Sequence, residues 1–275
     1  ASFDEWGIGS VPTLYEIPDF KYHPLGTATT VAEIDAYPWP DFDAPYRYEG
    51  VRTQVATFHN RGYAVCGEMY QTLFETAWLM RDMQAFLMDM MLNEELTHAI
   101  CERIAQIRVG QARQYALAGV DILRLGDDIV SQQGLMFSKE LYNTYFKPRI
   151  KRIVAAAKEV NPDIIIFMHS CGKIEGMIDE LIDAGVEVLN PVQPECNDQQ
   201  AIKRTYGDRL SFWGGVGVQS VLPHGTPDEV RAATRKTIAT LGPENGFLVA
   251  PAHILDPAIP WENIEAFIET VKEQR

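Results

Sequence analysis

From residue 63 onward the chain alternates between two patterns of apolar and polar positions. Six short runs are apolar, β-branched or aromatic: "YAVCGEM", "VDILRLGDD", "IIIFMHSCG", "VEVLNPVQP", "LSFWGGVGV" and "GFLVAPAHIL". Each ends in Gly, Pro or a polar group, as strands buried on both faces do. Between the runs, apolar residues fall at helical spacing. "GKIEGMIDELIDAG" stops at Gly185, a helix-ending residue. "TPDEVRAATRKTIATLG" has Thr226 as N-cap, Pro227 at the first helical position, acids in the first turn and Gly242 after the end. Repeated strand–helix units predict a parallel sheet with helices outside it. The stretch "GEMYQTLFETAWLMRDMQAFLMDMMLNEEL" predicts a core-facing helix, since methionine fills irregular gaps. Within it, Tyr70, Phe74 and Trp78 are candidates to line an apolar substrate pocket. Residues 1–60 differ. Proline at the density of "YPWPDFDAPYRYEG" excludes long helices and central strands. An irregular covering segment with short helical turns is expected there, followed by the βα units of 61–275 in a single domain.

A doubly wound sheet and a (β/α)8 TIM barrel both fit this α/β alternation. The barrel fits better, because candidate functional residues recur at the C-terminal ends of the strands, where a barrel places its site. They are Glu68, Asp127 and Asp128, His169 and Cys171, Gln193 and Glu195, Trp213, and His253. A dinucleotide-binding sheet would carry a glycine fingerprint after its first strand, and "GGVG" at 214–217 is only a lone cluster. Six runs are two short of a closed barrel, and the proline-rich segment does not obviously supply the difference.

His169 and Cys171 stand two apart at a strand end, so an imidazole and a thiolate face one cavity. Zinc favours that mixture of nitrogen and sulfur; a histidine packed beside a buried cysteine is the simpler alternative. His253, after the last strand, is a candidate third ligand or a histidine bonded to backbone. Glu68 is a candidate ligand or catalytic carboxylate, or else the partner of Arg124. In "LGDDIVSQQG" two adjacent acids repel, so one is expected to be paired or protonated. Asp127 or Asp128 could orient substrate or a ligating histidine, and one of them is expected to cap a helix. Gln132, Gln193 and Glu195 are candidate polar substrate contacts, with Tyr70 and Trp213 as aromatic ones. Cys101, in a helical stretch, reads as structural, and Cys196 as lying outside the site.

Composition narrows the partners. The formal net charge of −14 argues against a nucleic-acid partner. Four scattered cysteines form no disulfide framework, which points to a reducing, cytoplasmic setting. No apolar run approaches the roughly 18 residues of a membrane span.

Taken together, "GDDIVSQQG" with "KPR" following, "HSCG", "LNPVQPEC", "FWGGVGVQSVLPHGTPDEV" and "VAPAHILDPAIPWEN" resemble the uroporphyrinogen decarboxylase superfamily. Within it, the chain is most similar to the methyltransferase components of corrinoid-dependent demethylases. The resemblance implies a (β/α)8 barrel whose first two βα units are missing from this chain. It also implies zinc at His169 and Cys171, because the related zinc methyltransferases carry a His-x-Cys pair that decarboxylases lack. Those enzymes have a cysteine after the last strand where this chain has His253. The implied activity is methyl transfer from a small methylated donor, an aryl methyl ether among them, to the cobalt of a corrinoid carried by a partner protein. Two alternatives stand beside it. A metal-independent decarboxylase would need several cations for the substrate's carboxylates, and the strand ends offer Arg124 and few others. The other alternative is a non-catalytic binding fragment.

Overall fold

The computed structural model describes residues 1–13, 18–244 and 246–273. All six apolar runs form strands: β1 (Cys66–Met69), β2 (Ile122–Gly126), β3 (Ile165–His169), β4 (Val188–Asn190), β5 (Ser211–Val216) and β6 (Phe247–Pro251). β1 and β2 pair in parallel, and β3 to β6 lie in sequence order in a parallel arrangement with β6 at an edge among the described residues. Each strand is followed by helical structure, so the alternation predicted from the apolar runs is the alternation observed. No described helix is long and apolar enough to cross a membrane.

The chain forms two compact units: residues 1–127, 137–166 and 183–185 in the first, and 128–136, 167–182 and 186–275 in the second. In the first, β1 and β2 pair in register from Cys66 opposite Ile122 to Met69 opposite Leu125. Leu123, Leu125 and Met69 are buried on one face, while Glu68 and Arg124 share the other. The stretch expected to be one core-facing helix is broken into α1 (Phe74–Arg81), α2 (Met83–Leu92) and the start of α3 (Glu94–Ala118). The breaks have a local cause. Asp82 takes a positive φ of 84° and its carboxylate accepts the Ala85 N–H. Asn93 does the same for Leu96 N–H at 3.4 Å. Short polar side chains that bond the backbone compete with a continuing helix and start a new one. The break also turns part of α2 outward, leaving Met88, Met91 and Leu92 at 51%, 70% and 79% exposure, which corrects the expectation of a core-facing helix. Its inward residue Phe86 joins a cluster in which Phe74 lies 4.9 Å from Phe137 and 5.5 Å from Phe146, the residue before α4 (Lys147–Val160).

Residues 1–60 carry more regular structure than expected. Ser2–Phe3, Gly9–Val11 and Asp19–Tyr22 form a small antiparallel sheet, and Val31–Ala36 and Val51–His59 are helices. Arg108 of α3 ties the loop after β1 in place, donating to the carbonyls of Thr72 at 3.0 Å and Gln71 at 2.8 Å. Its guanidinium also lies 5.0 Å from the Trp6 ring.

The second unit holds helices α5 (Ile178–Asp183), α6 (Gln199–Tyr206), α7 (Pro227–Leu241) and α8 (Trp261–Lys272), of which α7 packs on β5 and β6 and against α6 and α8. Val216, Leu222, Val230, Ile259 and Ala266 form one buried cluster. Thr226 and Glu229 close a full capping box at the start of α7, which holds two otherwise unpaired backbone donors.

Asp127, at the end of β2, is the acid that caps. Its carboxylate accepts N–H bonds from Leu73 at 2.9 Å and Glu75 at 2.9 Å, at the N-terminus of α1. Burial pushes its pKa up to about 7, against the pull of those N–H groups and of Arg108. The folded state therefore takes this proton more readily than the unfolded chain, whose carboxyl keeps the ordinary value of 3.8. The group's contribution to stability is full below about pH 4 and is lost as pH rises towards 7. Asp127→Asn should flatten that decline, measured as urea midpoints at pH 5 and pH 7.5; an unchanged pH slope would contradict it.

Candidate metal centre

The last residue of β3 is His169, which the register sets opposite Asn190 of β4. Beyond it the chain leaves the ladder and turns. Gly172 makes the turn at a φ of +99°, and a Cβ there would lie 2.7 Å from the Ser131 carbonyl oxygen. Every amide in the turn has a partner inside the same unit. Cys171 N–H donates to Asp128 Oδ1 at 2.7 Å, Gly172 N–H to Gln193 Oε1 at 3.2 Å and Lys173 N–H to the Ser131 carbonyl at 2.9 Å. Asn197 closes the turn from the other side, donating to the Gly172 carbonyl at 2.9 Å and accepting from Ile174 N–H at 3.0 Å. The sulfur of Cys171 is held by this frame.

His169 Nε2 lies 3.4 Å from Cys171 Sγ. His253 follows β6 after Ala252, whose N–H extends the ladder to the Val216 carbonyl at 2.7 Å. Its ring centroid is 5.9 Å from that of His169. One ligand atom from each of His169, Cys171 and His253 lies within 4.8 Å of the others. A tetrahedral zinc with bonds of about 2.05 Å to nitrogen and 2.3 Å to sulfur sets nitrogen and sulfur about 3.6 Å apart. The donors and their spacing fit that ion. His169 is buried, while Cys171 and His253 are half-buried, so the centre has a protected side and an accessible one. Asp128 sits on the accessible side, its carboxylate 3.7 Å from His169 Nε2 with a side chain 42% exposed.

The other predicted residues of this unit fall into two groups. Trp213 of β5 meets Phe167 of β3 edge-on at 5.3 Å, making an aromatic wall on the face that carries His169. Gln132 donates to Gln219 Oε1 at 2.8 Å. Glu195 accepts from Ser220 Oγ at 2.8 Å and Gln219 N–H at 3.2 Å, so it holds the loop after β5. Gln193 offers one oxygen to the turn, while its Nε2 is buried with no hydrogen-bond partner among the described residues. Asn190, Asn197 and Ser131 carry the frame although the sequence patterns assign them nothing. Asn190 had one available signal, its place one strand over in "LNPVQ".

In the first unit, Glu68 pairs with Arg124 at 2.8 Å, and Arg124 lies 5.5 Å from the centroid of the Tyr70 ring. Burial raises the Glu68 pKa against the opposing pull of Arg124.

The comparisons with known proteins agree with this architecture. The chain belongs to the uroporphyrinogen decarboxylase (URO-D) family, whose model matches residues 7–274. It is 24% identical over 161 residues to the methylcobamide:CoM methyltransferase MtaA of Methanosarcina barkeri, covering 58% of this chain and 44% of that protein. Similarity to the methylated-thiol–coenzyme M methyltransferase of Methanosarcina mazei is 26% over 183 residues, covering 66% and 46%. A uroporphyrinogen decarboxylase of Synechocystis is 20% identical over 178 residues, covering 65% and 48%. The chain thus spans about half the length of the curated relatives it matches. In fold it resembles a solved methyltransferase from Methanosarcina mazei, with a TM-score of 0.72, 18% identity, and coverage of 98% of this chain and 76% of that one.

Gly172→Ala should strain the turn and press on the Ser131 carbonyl, at a cost of about 1–3 kcal/mol. Chemical denaturation reads this as a lower midpoint; an unshifted midpoint would show that the turn relaxes freely.

Proposed function

We propose that the chain is an enzyme, the demethylase component of a corrinoid-dependent methyl transfer system. It moves a methyl group from a small methylated donor, an aryl methyl ether, to the cobalt of a corrinoid carried by a partner protein. The observation that carries this reading is the convergence of His169, Cys171 and His253 on one point. The methyltransferases among the relatives support the reaction class, and the His-Cys-His donor set supports a metal-assisted route over a metal-independent decarboxylation.

The chemical problem is the leaving group. The methyl passes to cobalt, whose electron pair forms the new bond, while the carbon–oxygen bond breaks and the phenoxide must take a proton. Zinc at His169, Cys171 and His253 would supply Lewis acidity toward the ether oxygen. The chain's residues do the rest. Cys171, whose amide is fixed by Asp128 and whose neighbour Gly172 is fixed by Gln193, would hold the metal through its sulfur. Asp128, exposed to solvent and close to His169 Nε2, relays the proton to the departing oxygen. Phe167 and Trp213 give an aromatic ring a wall to lie against. Gln193 Nε2 supplies a donor for a polar substituent.

The test is methyl transfer from a methoxylated aromatic to cob(I)alamin. Loss of residues around a metal's ligands typically costs ~10–100-fold, so loss of a ligand in Cys171→Ser should cut the rate by more than about 100-fold. Full activity in a metal-free preparation, indifferent to added zinc, would remove the metal from the mechanism. Turnover of a porphyrinogen without metal would favour the decarboxylase instead.

A further inference from the structure

Asn190 makes two hydrogen bonds that together decide which nitrogen of His169 is available. Its Nδ2 donates to the Trp213 carbonyl at 2.7 Å, and its Oδ1 lies 2.5 Å from His169 Nδ1. A backbone carbonyl only accepts, so the amide's NH2 must face Trp213 and its oxygen must face the imidazole. The reversed amide would set two oxygens against each other. Because Oδ1 also only accepts, the hydrogen of a neutral His169 must sit on Nδ1. Its lone pair is then on Nε2, the nitrogen 3.4 Å from Cys171 Sγ.

The surroundings hold the amide in this pose. The Asn190 carbonyl accepts Ser170 N–H at 2.9 Å, and the register keeps Asn190 opposite His169. Gly214 leaves room for it: a Cβ there would lie 3.2 Å from Asn190 Nδ2 and 2.7 Å from the Pro191 carbonyl oxygen, on a backbone with φ +124°. Asn190 is 8% exposed and His169 is 7% exposed, so water does not compete freely for either bond.

The geometry points to Asn190 as the positioning residue of the metal centre: it fixes His169 in the Nδ1–H form and aims Nε2 at the metal. This rests on the metal reading above. It also gives the centre a distinct character. Ligating histidines often donate to a carboxylate, which makes the imidazole a stronger ligand. A neutral amide orients the ring without adding negative charge, and leaves the metal a stronger Lewis acid toward an ether oxygen.

The experiment uses the full chain stripped of metal. The imidazole 15N resonances of His169 in the unsubstituted protein should report hydrogen on Nδ1 and a lone pair on Nε2. Zinc affinity, measured by competition with a chromogenic chelator, should fall about 10–100-fold in Asn190→Ala. Asn190→Asp keeps the acceptor for Nδ1–H but sets its second oxygen against the Trp213 carbonyl, so its zinc affinity should fall clearly less than that of Asn190→Ala. A purely structural role would weaken both variants alike. Hydrogen on Nε2, or undiminished zinc affinity in Asn190→Ala, would overturn the role of Asn190 while leaving the metal reading intact. An unsubstituted chain that binds no zinc would overturn the metal reading, and the 15N measurement would still judge the tautomer independently of any variant's folding.

Discussion

The turn after β3 must satisfy its own amides. Inside a parallel ladder each N–H has a partner one strand away, but Cys171, Gly172 and Lys173 have left the ladder, and unpaired buried amides are costly. The chain answers with side chains and carbonyls from other loops: Asp128, Gln193, Ser131 and Asn197. The position of the Cys171 sulfur follows from these bonds, and with it the spacing to His169 and His253. Meeting the hydrogen-bonding needs of a strand end is thus what fixes where the Cys171 sulfur stands beside His169 and His253.

The two neighbouring acids show how one constraint separates roles. Asp127 faces the buried start of α1, where helix N–H groups need an acceptor, and both of its oxygens bond there. Asp128 points to the solvent-accessible side and takes the Cys171 amide. Burial drives the first towards its protonated form and ties it to structure. Only the second has the access to solvent that a proton relay requires.

The sheet was legible because strands covered on both faces are written as continuous apolar runs, and all six were found that way. The break at Asp82 was harder to read, since its positive φ and its bond to Ala85 depend on conformation rather than on periodicity. The methionines of α2 misled for a related reason: a residue type that suits a core does not say which way a broken helix turns. At the site, His169 and Cys171 stood out through spacing on one strand. His253 joins them only through the fold, across 82 residues of sequence, and Asn190 through strand register. An asparagine before a proline reads first as a turn signal, and its amide contacts are visible only once β3, β4 and β5 are side by side.

The proline that follows Asn190 has a consequence for ageing. Asparagine side chains in proteins slowly convert to aspartate when the next residue's backbone nitrogen attacks the amide and forms a ring. Pro191 has no N–H to do this. The buried amide that bonds both the Trp213 carbonyl and the His169 imidazole is therefore closed to that route of spontaneous decay.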